Sequence, residues 1–147
     1  VIANRVSNIT VENIAISNQS GMVEFRINPD SNLMGKIANY VDQNQQEQFS
    51  EIEAVRAISL HEYFAGLGNP RIGLMKIDVE GAEDIVIDGA KNIIAREKPV
   101  IVMEVHNCKG IPLKTIAVVS RLIDFGYQIK ELVNDQEGGN NKHILAW

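Results

Sequence analysis

The chain has 147 residues, of which 45% are hydrophobic and only 5% aromatic, so it fits one compact domain with an aliphatic core. Its net charge is -5 and no block of Lys or Arg interrupts the mixed-sign pattern, which argues against nucleic acid as a partner. No apolar run approaches the roughly 18–20 residues of a membrane helix, and the single Cys108 permits neither an internal disulfide nor a CxxC zinc site, so a cytoplasmic protein is expected.

The chain opens at Val1 inside an element already under way, and the expectation is that N-terminal strands are missing. Residues 8–16 alternate and carry β-branched side chains, which predicts a strand. Ser17 to Gly21 supplies turn residues, and Met22 to Asn28 alternates again as a second strand, antiparallel or at an edge. From Pro29 to Glu51 the pattern fails, with Gln and Asn concentrated between 43 and 48; a mobile excursion with one helical turn around Met34 to Val41 is expected.

Glu53 to Leu60 returns to strand character, and Leu60 to Leu67 reads as a short helix stopped by Gly66, Gly68 and Pro70. Ile72 to Val79 is a nearly continuous apolar strand, Gly81 the turn, and Ala82 to Arg96 a helix whose spacing shows at Ile85, Val86, Ala90, Ile93 and Ile94, with Gly89 a break within it. Pro99 to Val105 is a second continuous apolar strand, followed by an amphipathic helix from Leu113 to Phe125 capped by Gly126. Tyr127 to Val133 and Lys142 to Trp147 predict a terminal hairpin turning at Gly138 and Gly139.

Two uninterrupted apolar strands joined through a helix imply a βαβ unit in a parallel sheet. The expected fold class is therefore α/β: a doubly wound sheet, mostly parallel, with a C-terminal antiparallel hairpin.

The polar residues fall where such a sheet holds its ligands. Lys76, Asp78 and Glu80 follow one another at i, i+2 where the first apolar strand gives way to its helix, and Glu104 and His106 repeat the arrangement on the next strand. Charged groups ending apolar strands are costly to desolvate unless paired or used, and in open α/β sheets the binding crevice lies outside the carboxyl ends of the strands. If the strands are neighbours, Asp78, Glu80, Glu104 and His106 gather on one rim. Lys76 is expected to neutralise the carboxylates, and Glu83 to be an ordinary first-turn helix residue. His61 and His143 have no supporting neighbours and read as surface residues, and Cys108 reads as a packed thiol.

Lys76-Ile77-Asp78-Val79-Glu80-Gly81-Ala82-Glu83, then Asp88-Gly89-Ala90, then Lys98-Pro99-Val100-Ile101-Val102-Met103-Glu104 resembles the signature of FkbM-type methyltransferases. Asn13-Ile14-Ala15-Ile16-Ser17 with Gly21 and Val23-Glu24-Phe25 is similar to a third strand of that family. Leu60-His61 stands where the family has Leu-Asp, and neither the Gly-rich loop after a first strand nor the acidic residue after a second is present. The resemblance implies a Rossmann-like methyltransferase sheet, S-adenosylmethionine as cofactor, and a small-molecule or glycan hydroxyl as acceptor, with this polypeptide by itself binding the cofactor poorly.

It also implies the roles. Ala15, Ile16 and Ser17 would line the adenine side and Asp78 would lie near the methyl donor, while Glu104 or His106 would act as base and Glu80 would shape the pocket. Against this stand plainer readings: Asp78 and Glu80 as helix-capping carboxylates, and His106 as a structural imidazole. An oxygen-rich set can also hold a divalent cation, but no metal is expected. A non-catalytic doubly wound binding or scaffold domain is the alternative to an enzyme, and a nucleotide-dependent oxidoreductase lacks its GxGxxG fingerprint.

Overall fold

The computed structural model describes residues 7–29, 35–37, 51–106, 113–132 and 141–147. In chain order the strands are β1 (Ala15–Ile16), β2 (Gly21–Ile27), β3 (Gly35–Ile37), β4 (Glu51–Ile58), β5 (Leu74–Ile77), β6 (Val100–Val105), β7 (Ile129–Glu131) and β8 (Lys142–Ala146). The helices are α1 (Leu60–Gly66), α2 (Glu83–Glu97) and α3 (Ala117–Asp124), the last preceded by a 3-10 turn at Leu113–Thr115.

The expected single, mostly parallel sheet is not what these strands form. They make two four-stranded mixed sheets, ordered β1-β4-β2-β3 and β5-β6-β8-β7. Among the described residues, parallel pairing is confined to β1 with β4 and β5 with β6. The remaining pairings are antiparallel. The βαβ unit and the terminal hairpin are both present, with β8 running antiparallel between β6 and β7. The doubly wound arrangement is not evident, because the core of the second sheet lies on one face.

That face can be read from the burial of alternate residues. Met75 and Ile77 of β5 are buried while Leu74 and Lys76 are exposed, and Ile101, Met103 and Val105 of β6 are buried while the residues between them are only partly covered. Period-2 side-chain alternation sends the first set towards the helices and the second set away. The buried set packs with Val86, Ile87, Ala90 and Ile94 of α2, Val118, Val119 and Leu122 of α3, and Ile144 and Ala146 of β8. Each fully buried aliphatic side chain contributes about 1.5–3 kcal/mol relative to exposure. The continuous apolar runs therefore overstated the coverage: Leu74–Ile77 buries one face and leaves Leu74 and Lys76 exposed on the other.

Several boundaries move for related reasons. The first strand shrinks from residues 8–16 to Ala15–Ile16, and Ile9 and Val11 remain 54% and 75% exposed, because alternation makes a strand only where a neighbour supplies the ladder. β2 is antiparallel, as expected, but interior rather than at an edge, paired with both β3 and β4. Gly35–Ile37 is a strand opposite Phe25–Ile27 rather than part of a helical turn, its backbone groups being taken up by β2. The rest of Met34 to Val41, the Gln-rich run, Cys108 and the Gly138-Gly139 turn lie outside the described residues.

Gly89 does not break α2, which runs unbroken from Glu83 to Glu97. It is the point where that helix meets the chain after β1. A Cβ at position 89 would stand 2.1 Å from the carbonyl oxygen of Ser17 and 2.9 Å from its carbonyl carbon, so only glycine fits. Gly89→Ala is expected to destabilise the fold by about 1–3 kcal/mol through this overpacking, although alanine in a helix interior is intrinsically better by about 1 kcal/mol. Urea unfolding of the two proteins measures the difference, and a gain in stability would refute the contact.

Candidate active site

The register of β5 against β6 sets the site. Ile77 is paired with Met103, so the residues that follow, Asp78 just past β5 and Glu104 near the end of β6, come at the same end of the sheet and on the side away from the core. His106 lies just past the end of β6. Asp78, Glu104 and His106 each offer one potential ligand atom within 4.8 Å of the others.

Glu80 arrives differently from the i, i+2 alternation expected. β5 ends at Ile77, and the chain then turns through Glu80 at φ 53 and Gly81 at φ 105. A non-glycine residue in the left-handed region costs of order 1–2 kcal/mol. Held there, Glu80 brings its Oε2 to 3.5 Å from Nε2 of His106.

Glu83 is the residue that sequence reasoning undervalued. The N-cap position of α2 is Ala82, which has no side chain to cap with. Glu83, in the first turn, reaches back to the turn before the helix and accepts the Gly81 N–H at Oε1 over 2.9 Å. The same oxygen takes the Nδ1 nitrogen of His106 at 2.7 Å. Both side chains are almost wholly buried, at 7% and 5% exposure. A carboxylate only accepts, so the proton of this bond belongs to Nδ1, and Nε2 is the atom presented to the site. The first-turn position of Glu83 beside a strand end was visible in the sequence. Its partner 23 residues later was not, because no periodicity connects them.

Nε2 of His106 lies 3.5 Å from Glu80 and 3.6 Å from Glu104, both too long for a well-formed hydrogen bond. Glu104 is in turn held by Asn141, whose Nδ2 donates to Oε1 at 2.8 Å, and by His143, whose Nε2 stands 3.2 Å from Oε2. His143 is thus no isolated surface residue: it sits opposite Glu104 in the β6–β8 ladder. Lys76 does neutralise a carboxylate as expected, at 3.0 Å from Oδ2 of Asp78. His61 is exposed.

The residues expected on the adenine side do not all line one cleft. Ile16 lines an apolar cleft of about 250 Å³ with Phe64, Met75, Lys76 and Val79. Ala15 lines a different cleft, of about 440 Å³, with Phe25, Glu53 and Arg56. Ser17 is buried beneath α2, and its N–H donates to the carbonyl of Ile58.

Burial acts most strongly on the His106 imidazole and pushes its pKa down, but the Glu83 hydrogen bond and the charges of Glu83, Glu80 and Glu104 together hold it above the ordinary histidine value. The groups facing it are Glu83 from α2, Glu80 from the turn before it and Glu104 from β6. A folded-state pKa above the unfolded one means stability that is fully present below about pH 6.5 and is lost as pH rises through the raised value. In chelator-containing buffer, unfolding free energy should fall as pH is raised across that window. His106→Gln should flatten the dependence, and an unchanged slope in that variant would assign it to another group.

Residues 2–129 match the family model described as the methyltransferase FkbM domain. Among solved structures, the chain is similar to the crystal structure of methyltransferase FkbM from Methylobacillus flagellatus, with a TM-score of 0.53 at 13% sequence identity. The match covers 94% of this chain and 28% of that one, so the present chain spans less than a third of the length of that protein, and at this identity the likeness concerns the fold. No curated protein sequence matches the chain.

Proposed function

The chain belongs to the FkbM methyltransferase family, and from that premise we propose that it serves the S-adenosylmethionine-dependent O-methylation of a hydroxyl on a small molecule or glycan. The observation that carries this reading is the meeting of Asp78, Glu104 and His106 at the common end of two neighbouring parallel strands.

Methylation of a hydroxyl forms a carbon–oxygen bond, breaks a carbon–sulfur bond and releases the hydroxyl proton. S-adenosylmethionine supplies the methyl group on a sulfonium, which departs as a neutral thioether. The residues present suit part of that cofactor: Ile16, Phe64 and Val79 would take a flat ring in their apolar cleft, and Asp78 would accept a bond from a hydroxyl or ammonium group. Ala15 and Ser17, which face elsewhere, would contribute only through the backbone that carries Ile16. No described residue replaces the Gly-rich loop.

The chain's own contribution is alignment and removal of a proton. Alignment is the larger effect, since fixing reacting groups in a near-attack geometry can remove several kcal/mol, up to about 7–11 kcal/mol, of barrier. Glu80, Glu104 and His106 offer acceptor atoms for the proton on one rim, and a positioned base contributes about 10²–10⁴-fold. Glu83 acts through His106, fixing the imidazole so that Nε2 faces the acceptor; it is a positioning residue.

Incubation with S-adenosylmethionine labelled at the methyl group and a panel of hydroxyl-bearing small molecules and glycans should yield labelled acceptor together with S-adenosylhomocysteine. Replacing Asp78, Glu104 and His106 together by alanine should lower kcat by about 10²–10⁴-fold. Undiminished turnover in that variant would put the chemistry elsewhere. A folded protein that shows no heat of binding with S-adenosylmethionine would favour a non-catalytic binding or scaffold domain.

A further inference from the structure

We infer that the turn at residues 79–82 is a proton-operated catch, closed while the His106 imidazole carries both of its protons and released when Nε2 gives one up. The inference goes beyond methyl transfer and does not depend on that activity. The turn is spanned by the Ala82 N–H, which donates to the carbonyl of Val79 over 3.3 Å. Its two central residues, Glu80 at φ 53 and Gly81 at φ 105, both have positive φ, as in a type I′ turn. The first central position of such a turn ordinarily goes to Asn, Asp or Gly, so a glutamate there is held against its backbone preference. The side chain has one partner to hold it. Oε2 of Glu80 is 3.5 Å from Nε2 of His106, and Glu80 has no other side-chain hydrogen bond or ion pair among the described residues.

Glu83 decides which proton the ring gives up. Its buried carboxylate holds the Nδ1–H at 2.7 Å, so the neutral imidazole keeps its proton on that side. Nε2 then changes from a cationic donor into a lone pair facing Glu80 at 3.5 Å and Glu104 at 3.6 Å, and attraction gives way to repulsion at both. The two glutamates do not respond alike. Glu104 belongs to β6, accepts from Asn141 at 2.8 Å, and has His143 of β8 at 3.2 Å from its other oxygen. Glu80, with its side chain 38% exposed and its backbone already in the left-handed region, is the one that leaves.

The remaining charges around the ring act in the same sense. Glu83 faces it from the start of α2, and Asp78 faces it from just past β5, with the Lys76 ammonium 3.0 Å from Asp78. Burial pushes the imidazole pKa down, while the Glu83 bond and the charges of Glu83, Glu80 and Glu104 hold it above the ordinary value. The catch therefore stays closed to a higher pH than a lone histidine allows. Coupling of this kind is reciprocal: each pKa unit that Glu80 adds to the ring is about tenfold in the closed-to-open ratio of the turn when the proton binds. Release carries Glu80 off the rim that Glu104 and His106 share, so the assembled site is the low-pH form.

Nuclear magnetic resonance on the 147-residue chain tests this without S-adenosylmethionine or an acceptor. The Gly81 N–H belongs to the peptide that follows Glu80, so release of the turn swings it away from Oε1 of Glu83, which it meets at 2.9 Å. Its protection against hydrogen exchange, corrected for the intrinsic pH dependence, should fall in step with the titration of the His106 ring. Glu80→Asn suits the left-handed position and removes the charge. In that variant His106 should titrate at lower pH and Gly81 should stay protected across the original range, by about tenfold for each unit of the shift. His106→Gln, once circular dichroism shows it folded, should abolish the pH response; if it does not fold, Glu80→Asn decides. Gly81 protection that stays level while His106 titrates, or a His106 titration unmoved by Glu80→Asn, would overturn the catch. Neither measurement reads methyl transfer, so a failed methyltransferase assay and a failed catch are told apart.

Discussion

Parallel pairing of β5 with β6 obliges both strands to finish at one edge of their sheet, and the chemistry of the molecule is arranged around that edge. The helix between them returns the chain across the strands, burying Val86, Ile87, Ala90 and Ile94 against Met75, Ile77, Ile101 and Met103. The register that results sets Ile77 beside Met103. Asp78 and Glu104 are delivered together at the expense of apolar burial elsewhere, which is why acidic groups of like charge can be kept close.

Like charges at that distance need a counterweight, and the molecule supplies several. Lys76 meets Asp78, Asn141 and His143 meet Glu104, and His106 stands among Glu80, Glu83 and Glu104. The imidazole is the hub because it is the buried cationic or dipolar group that meets the start of α2, the turn before it and the end of β6 at once. Glu83 binds both it and the backbone N–H of Gly81, which ties the start of α2, the turn and the histidine together. The left-handed conformation of Glu80 is a local cost within the same unit.

The second sheet thus carries the polar site, while the first carries Ile16 towards the apolar cleft beside β5. The two meet where α2 passes the chain after β1, at a contact that admits no side chain at Gly89. Sequence reasoning took that glycine for a weakness in the helix. It could not do otherwise, since the reason for it is a backbone 72 positions away in the chain, at Ser17.

What the sequence determined by itself was local and periodic. The β5–α2–β6 unit, the terminal hairpin, the short α1 and the placement of Asp78, Glu104 and His106 at strand ends all follow from side-chain alternation and turn residues, which act over a few positions. The family resemblance was legible for the same reason, since its residues lie in contiguous runs. What only the tertiary structure decided were the pairings between distant segments: two mixed sheets in place of one mostly parallel sheet, the strand at Gly35–Ile37, the different clefts lined by Ala15 and Ile16, and the bonds of Glu83 and His143. Those depend on which backbone or side-chain group arrives from afar to satisfy a donor or cover a face, and no local pattern records the identity of that partner.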